Sequence, residues 1–127
     1  MSYYHVFGDE SGETHLKAIE LPMMENPRTG KVRTLHGIPV TTATITEFID
    51  GKKDPGVHAP PEREVFVVLG GELEIEPTAG PAERLRAGDV LILDDVDTKG
   101  HSSRDVGEDT LALMVVWIDA DWQSPTG

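Results

Sequence analysis

The chain has 127 residues, of which 23 are acidic and 11 are basic, so its formal charge at pH 7 is −12. Such an acidic surface repels nucleic-acid phosphates and anionic lipid headgroups, which argues against nucleic acid and membranes as partners. The chain has no cysteine, which excludes disulfides and thiolate chemistry and leaves imidazole and carboxylate as metal ligands.

The length of the chain suits a single domain with one hydrophobic core. The longest apolar run, LALMVVWI at 111–118, is much shorter than the roughly 20 residues of a membrane-spanning helix. The N-terminal MSYYHVFGDE lacks the basic and apolar parts of a signal peptide, so we expect a cytoplasmic protein. We assign residues 1–127 to one domain, with N-terminal strands in 1–36, the core in about 37–119 and a flexible tail in 120–127.

Short apolar stretches separated by glycine, proline and acidic residues predict an all-β domain. No segment repeats apolar residues with the 3.6-residue period of a helix. Thr42, Thr44 and Thr46 alternate with Ala43 and Ile45, so the three threonines are predicted to share one face of a strand. We predict strands, in chain order, in YYHVF (3–7), THLKAIELP (14–22), GIPVTTATITEFID (37–50), EVFVVLGGELEIE (64–76), RLRAGDVLIL (84–93) and TLALMVVWID (110–119), and a loop in MENPRTGKV (24–32).

The pair Gly70-Gly71 predicts a hairpin, because it separates a β-branched run from a strict alternation of apolar and acidic residues. In that alternation Leu73 and Ile75 are predicted to face the core. The residues predicted to face water are Glu72, Glu74 and Glu76.

The stretch GVHAPPEREVF at 56–66 combines one histidine with two carboxylates ahead of a predicted strand. His58, Glu62 and Glu64 are separated by even numbers of residues, so an extended chain would place them on one face, which Phe66 continues. Pro60-Pro61 can interrupt this alternation. An ionised Glu64 on a buried face requires a metal, an arginine or hydrogen-bond donors, and burial without them would raise its pKa and suit a general base.

The order His58, Pro60, Glu64, Gly71 resembles the first sequence motif of the cupin superfamily, with Pro60 in place of the second motif histidine. The segment AGDVLILDDVDTKGHSS at 87–103 resembles the second motif, which opens with Gly-Asp and ends in a histidine, here His101. The resemblance covers about residues 50–117. It implies a double-stranded antiparallel β-barrel of the jelly-roll type.

The resemblance also implies a metal site. The matching positions are His58, Glu64 and His101, a set of two histidines and one carboxylate that can hold one divalent transition metal, namely Fe, Mn, Ni or Zn. Glu62 is the candidate to replace the missing imidazole. The alternative interpretation is that His58 and His101 are loop histidines bonded to backbone carbonyls.

Two functions from different classes fit this resemblance. The first is a metal-dependent enzyme that acts on a small oxygenated organic molecule as an isomerase, lyase or cyclase, with Glu62 or Glu64 moving the proton. A dioxygenase would require iron and an oxygen site in addition. The second is a non-catalytic small-ligand-binding or regulatory module that has lost its metal. Phe66 and Arg104 are candidate substrate-binding residues, although Arg104 could instead pair with a surface acid.

A homodimer is predicted, because small cupins usually pair and the N-terminal strands could extend a neighbour's sheet. Asp94, Asp95 and Asp97 lack the glycine and the closing glutamate of a calcium loop, so we expect a charged loop there. Trp117 is expected in the core or in a dimer contact rather than as a stacking platform for a ligand.

Overall fold

The computed structural model describes residues 1–35, 37–49 and 57–123. These residues form eleven strands and no helix, which confirms the predicted all-β class. A helix long and apolar enough to cross a membrane is accordingly not found in these ranges. The strands are β1 (Tyr3–Gly8), β2 (Thr14–Ile19), β3 (Met24–Glu25), β4 (Arg33–Thr34), β5 (Val40–Glu47), β6 (Glu64–Gly70), β7 (Glu72–Pro77), β8 (Glu83–Arg86), β9 (Val90–Asp94), β10 (His101–Asp105) and β11 (Ala112–Ile118).

Most of the strands belong to two sheets. One has six strands in the order β2-β1-β9-β6-β11-β5, and the other has three in the order β10-β7-β8. The short β3 and β4 pair with each other: β3 lies at the start of the segment that was predicted as a loop, and β4 directly follows that segment. β1 runs parallel to β9, so the six-stranded sheet is mixed and differs from the wholly antiparallel arrangement that the resemblance implies. The two sheets are compatible with a β-sandwich.

The main hydrophobic core lies between these two sheets. We call the side of each sheet that contributes to this core its inner face, and the opposite side its outer face. Because side chains alternate along a strand, every second residue reaches the core. The six-stranded sheet contributes Val6, Val68, Leu91, Leu93 and Leu113, and the three-stranded sheet contributes Leu73, Ile75 and Leu85. Leu73 and Ile75 are fully buried, as the alternation in β7 predicts.

The prediction of a hairpin at Gly70-Gly71 is wrong. β6 pairs with β9 and β11, whereas β7 pairs with β10 and β8, so the glycine pair carries the chain from one sheet to the other. Gly71 has a φ of 76°, and a Cβ added there would lie 2.7 Å from the Cα of Leu111. The turn signal was correct, but both edges of β6 are occupied by strands distant in sequence.

The outer face of the six-stranded sheet carries a second, smaller apolar cluster built on Val65, Ile92 and Ile118. β1 lies between β2 and β9 and is paired on both sides, so of the two longer N-terminal strands only β2 has a free edge at which it could extend a neighbour's sheet as predicted. β2 and β5 are the edges of this sheet, and every residue of β5 is exposed. A homodimer stays a prediction.

Candidate functional site

The two histidines of the cupin-like motifs lie side by side. His58 and His101 form an isolated antiparallel bridge, in which the His58 N–H donates to the His101 carbonyl at 3.0 Å and the reverse bond measures 3.1 Å. Their ring centroids are 5.8 Å apart. The His101 side chain is buried at the start of β10, whereas His58 is exposed. The bridge therefore holds the segment before β6 against the three-stranded sheet.

Gly100 allows this bridge to form. Its φ is 83°, and a Cβ at this position would overlap the backbone carbonyl group of His58. The Gly100 carbonyl accepts a hydrogen bond of 2.7 Å from the Thr14 hydroxyl, and the Gly100 N–H donates to Thr98 Oγ1 at 3.0 Å. The backbone on the N-terminal side of His101 is thus held from two sides.

Asp95 is the buried partner of His101. The Nδ1 atom of His101 lies 2.6 Å from Oδ2 of Asp95, and the Asp95 side chain has no solvent exposure. The predicted charged loop is corrected at its start: Asp94 is the last residue of β9, and Asp95, the first residue after the strand, is buried. An ionised carboxylate only accepts hydrogen bonds, so Nδ1 donates its proton and Nε2 is the remaining basic nitrogen of His101. Within the described residues, Oδ1 of Asp95 has no hydrogen-bond partner.

Glu64 occupies the inner face of β6 next to these histidines. It is the first residue of the strand and is only 9% exposed, which confirms that this carboxylate lies on a buried face. Burial raises its pKa, because the charged form loses water, and the electrostatic interaction with His101 offsets this only in part. The charge of Asp95 raises the pKa further, and that of His58 opposes it. Glu64 thus keeps its proton to a higher pH than an exposed glutamate does.

The predicted metal-ligand set is brought together only in part. His58, Glu64 and His101 interact electrostatically, but across the described ranges no group of three or more His, Cys, Asp or Glu side chains is arranged to hold a metal ion. The donor types suit Fe, Mn, Ni or Zn, whereas the present arrangement does not fit a three-ligand site. Metal binding stays a prediction.

The remaining predicted site residues occupy different places. Glu62 is exposed in a segment that is not a strand, so the alternation assumed from His58 to Glu64 does not continue through Pro60-Pro61. Phe66 is half-buried against the main core on the inner face of β6, two residues after Glu64. Arg104 lies on the outer face of β10, where it pairs with Glu74 and with Glu76. It is therefore not part of this cluster.

A second charged network lies on the outer face, behind Glu64. Asp94 Oδ2 is 2.7 Å from Nε2 of His5, and its Oδ1 accepts a hydrogen bond of 2.7 Å from Nε of Arg63. Burial alone would raise the pKa of Asp94, but the hydrogen bonds from His5 and Arg63 outweigh burial and lower it. Arg63 also lies over the Trp122 ring. Because Arg63 directly precedes Glu64, this network restrains the entrance to β6.

Two residues of the site were not identified from the sequence. Asp95 was placed in a loop, and no local pattern indicates that it pairs with a histidine six residues later. Trp117 was assigned to the core or a dimer contact, but it lies opposite Glu64 on the neighbouring strand. The alternation of Leu113, Val115 and Trp117 along β11 is the signal that would have placed it on the inner face.

Comparison with known proteins adds no assignment: no protein-family model matches this sequence, and a search of curated proteins found no similar one. Membership in the cupin superfamily stays a prediction from the two motifs. Function is therefore inferred from the geometry of the site.

Proposed function

We propose that this protein is an enzyme that transfers protons on a small oxygenated organic molecule, with Glu64 and His101 as the two proton-transfer groups. The observation that carries this proposal is the buried pair of Glu64, whose pKa is raised, and His101, whose Nδ1 is bonded to a fully buried carboxylate. Two neighbouring titratable groups in different environments are the usual basis of acid–base chemistry near neutral pH.

The two groups have separate roles. Protonated Glu64 donates a hydrogen bond or a proton to the substrate oxygen, where negative charge develops when a proton leaves the carbon beside a carbonyl. His101 accepts that proton at Nε2, because Asp95 holds the other ring proton on Nδ1. This exchange is sufficient for an isomerase, lyase or cyclase.

The metal-dependent form of this activity is the second candidate. It is favoured by the proximity of His58 and His101 and by the Asp95 contact, since metal-bound histidines commonly donate their other N–H to a carboxylate. A bound divalent metal would polarise the substrate oxygen. To hold such a metal, the three side chains would have to lie closer together than they do, namely those of His58, Glu64 and His101.

We also propose that the two sheets are the halves of a cupin barrel. Support comes from the order of the motif residues, the change of sheet at Gly71 and the meeting of His58 with His101. The same fold without proton transfer would be a ligand-binding or regulatory module, and this alternative is one outcome of the experiment below.

The test is exchange of carbon-bound protons with solvent. The protein, dialysed with and without a chelator, is incubated in D2O with a panel of small ketones, hydroxyketones and 2-oxo acids, and loss of the proton signal beside each carbonyl is followed by NMR. We expect at least one compound to exchange faster with protein than without it. Glu64→Gln should lose this acceleration, whereas Glu76→Gln, on an exposed outer-face residue, should retain it.

Three other results lead to different conclusions. Equal exchange by Glu64→Gln and the unchanged protein would contradict the assignment of this site. Binding without exchange would support the non-catalytic module. Proton exchange that is lost with chelator and restored by Fe, Mn, Ni or Zn would support the metal-dependent form. The metal content of His58→Ala and His101→Ala would then show whether the two histidines hold the metal.

A further inference from the structure

Trp117 has an unusual position for an inward-facing aromatic residue. Two other residues on the same face of β11 are in contact with the main core: Leu113 belongs to it, and Val115 packs against it. Trp117 packs against neither hydrophobic cluster and remains half-exposed. Within the described residues its ring also has no aromatic or cationic partner. The largest side chain on this face is thus available to a molecule from outside.

The strand register places Trp117 between a buried acid and an exposed hydroxyl. It pairs with Glu64 on β6 and with Thr42 on β5, and side chains directly opposite each other on neighbouring strands have Cβ atoms about 5 Å apart. Glu64, Trp117 and Thr42 therefore form one row across the inner face. The row runs from a buried carboxyl through an aromatic ring to a hydroxyl in solvent.

In the part of the chain that the structure describes, this end of the inner face is open. All eight residues of β5 are exposed, including Thr44 and Thr46, which share the inner face with Thr42. The three-stranded sheet thus leaves the β5 side of the six-stranded sheet uncovered. A molecule entering from this side meets Trp117 before it reaches Glu64 and His101.

We propose that Trp117 is the stacking surface for the substrate of the proposed reaction, and that this substrate has a flat aromatic or conjugated body. The inference rests on the proposed function, because the oxygen to be protonated must lie at Glu64 while the flat body covers the Trp117 ring. Offset stacking on tryptophan favours planar groups over saturated rings of equal size. Trp117 is a substrate-contacting, specificity-determining residue that takes no part in the proton transfer.

The test compares two neutral ketones of similar size, acetophenone and cyclohexyl methyl ketone, which carry the same exchangeable methyl group. The chain contains two tryptophans, so Trp122→Phe leaves Trp117 as the single indole fluorophore. We expect acetophenone to quench this fluorescence and to bind about tenfold more tightly than the saturated ketone, which corresponds to about 1.4 kcal/mol of stacking. Trp117→Leu should lose the preference in an NMR binding assay, and Trp122→Leu should retain it.

The outcomes separate this inference from the proposed function. Equal affinity for the two ketones, a preference that persists in Trp117→Leu, or no binding of either ketone would overturn the stacking surface. A preference that depends on Trp117 but comes without any proton exchange would support the stacking surface and contradict the enzyme. Glu64→Gln should bind acetophenone with the fluorescence change intact while exchange is lost.

Discussion

The Nδ1 atom of His101 lies 2.6 Å from the Oδ2 atom of Asp95, and the two side chains are 3% and 0% exposed. A contact this short between buried groups orients the imidazole ring and selects its tautomer. The cost of burying the Asp95 carboxylate is offset only while His101 donates to it.

Replacing Asp95 should therefore affect both stability and the state of His101. We expect Asp95→Asn to lower the free energy of unfolding by about 2 kcal/mol, because a charge-assisted hydrogen bond is lost in a buried place. Urea unfolding measures this loss, and the ¹⁵N shifts of the His101 ring report the change of tautomer. Asp97→Asn is the matched control, since Asp97 is exposed with a φ of 60° that asparagine tolerates. Unchanged ring shifts in Asp95→Asn would contradict the orienting role.

The raised pKa of Glu64 predicts how stability depends on pH. The folded-state pKa lies above that of the unfolded chain, so the folded protein loses stability as pH rises through the folded value and Glu64 ionises. Glu64→Gln removes this loss. We expect its stability relative to the unchanged protein to increase from pH 3, which is below the unfolded-state pKa of about 4, to pH 8, by about 1.4 kcal/mol for each unit of pKa difference. Urea unfolding at both pH values checks this, and a difference independent of pH would be the contrary result.

Asp94 should show the opposite dependence. Its pKa is lower in the folded protein than in the unfolded chain. Its contribution to the free energy of unfolding is therefore present above the unfolded-state pKa of about 4 and is lost as pH falls through the folded-state pKa. We expect Asp94→Asn to cost about 2 kcal/mol at pH 7 and progressively less below pH 4. A double-mutant cycle with Arg63→Gln should give a coupling of about 1 kcal/mol. Additive effects of the two substitutions would show that the pair contributes no coupling.

The change of sheet at Gly71 depends on the absence of a side chain. Gly71→Ala combines a positive φ with contact between the new Cβ and the backbone of Leu111, so we expect a loss of about 3 kcal/mol. Gly80 also has a positive φ, but a Cβ there meets nothing within 4 Å. Gly80→Ala should therefore cost about 1 kcal/mol. Equal losses in thermal or urea unfolding would exclude the close contact as the cause.

A homodimer, if it forms, is expected to use β5. This edge strand contains no charged residue from Val40 to Thr46, so two copies can meet there without opposing like charges, although the whole chain carries −12. Ile45, on its outer face, is 61% exposed. We expect sedimentation equilibrium to show a dimer that Ile45→Lys dissociates, whereas Ile49→Lys, beyond the strand, does not. A monomer at all concentrations would contradict this prediction.

Much of the fold could be predicted because strand formation leaves a local pattern. The alternation around Leu73 and Ile75 placed both residues in the core, and the β-branched run from Val40 formed a strand. Pairing partners leave no such pattern. Gly70-Gly71 indicates a turn whether or not the flanking strands pair with each other. That β9 and β11 occupy the two edges of β6 is a property of the tertiary fold. The polar β10 was missed because it lacks a continuous apolar face.

Residues of the candidate site could be predicted when they belong to one of the two sequence motifs. Residues that approach the site only in the folded structure could not be predicted. The motif order correctly relates His58 and His101, which lie side by side, and Glu64, which interacts electrostatically with both. For Arg104 the structure shows the alternative of pairing with a surface acid, because its odd spacing from His101 turns it to the outer face of β10. Asp95 and Trp117 come from a loop and a strand that only the folded chain brings to Glu64.

The close approach at Gly100 has a consequence for any sequence later aligned with this one. Position 100 has no side chain that could take part in chemistry, yet a methyl group there would push the His58 backbone away from His101. A glycine at this position is therefore a criterion for sorting related sequences that does not depend on the proposed reaction. Relatives that have both histidines but a larger residue at this position should match the motifs in sequence without forming the bridge between the two histidines. They should be excluded when proteins are chosen for substrate screening.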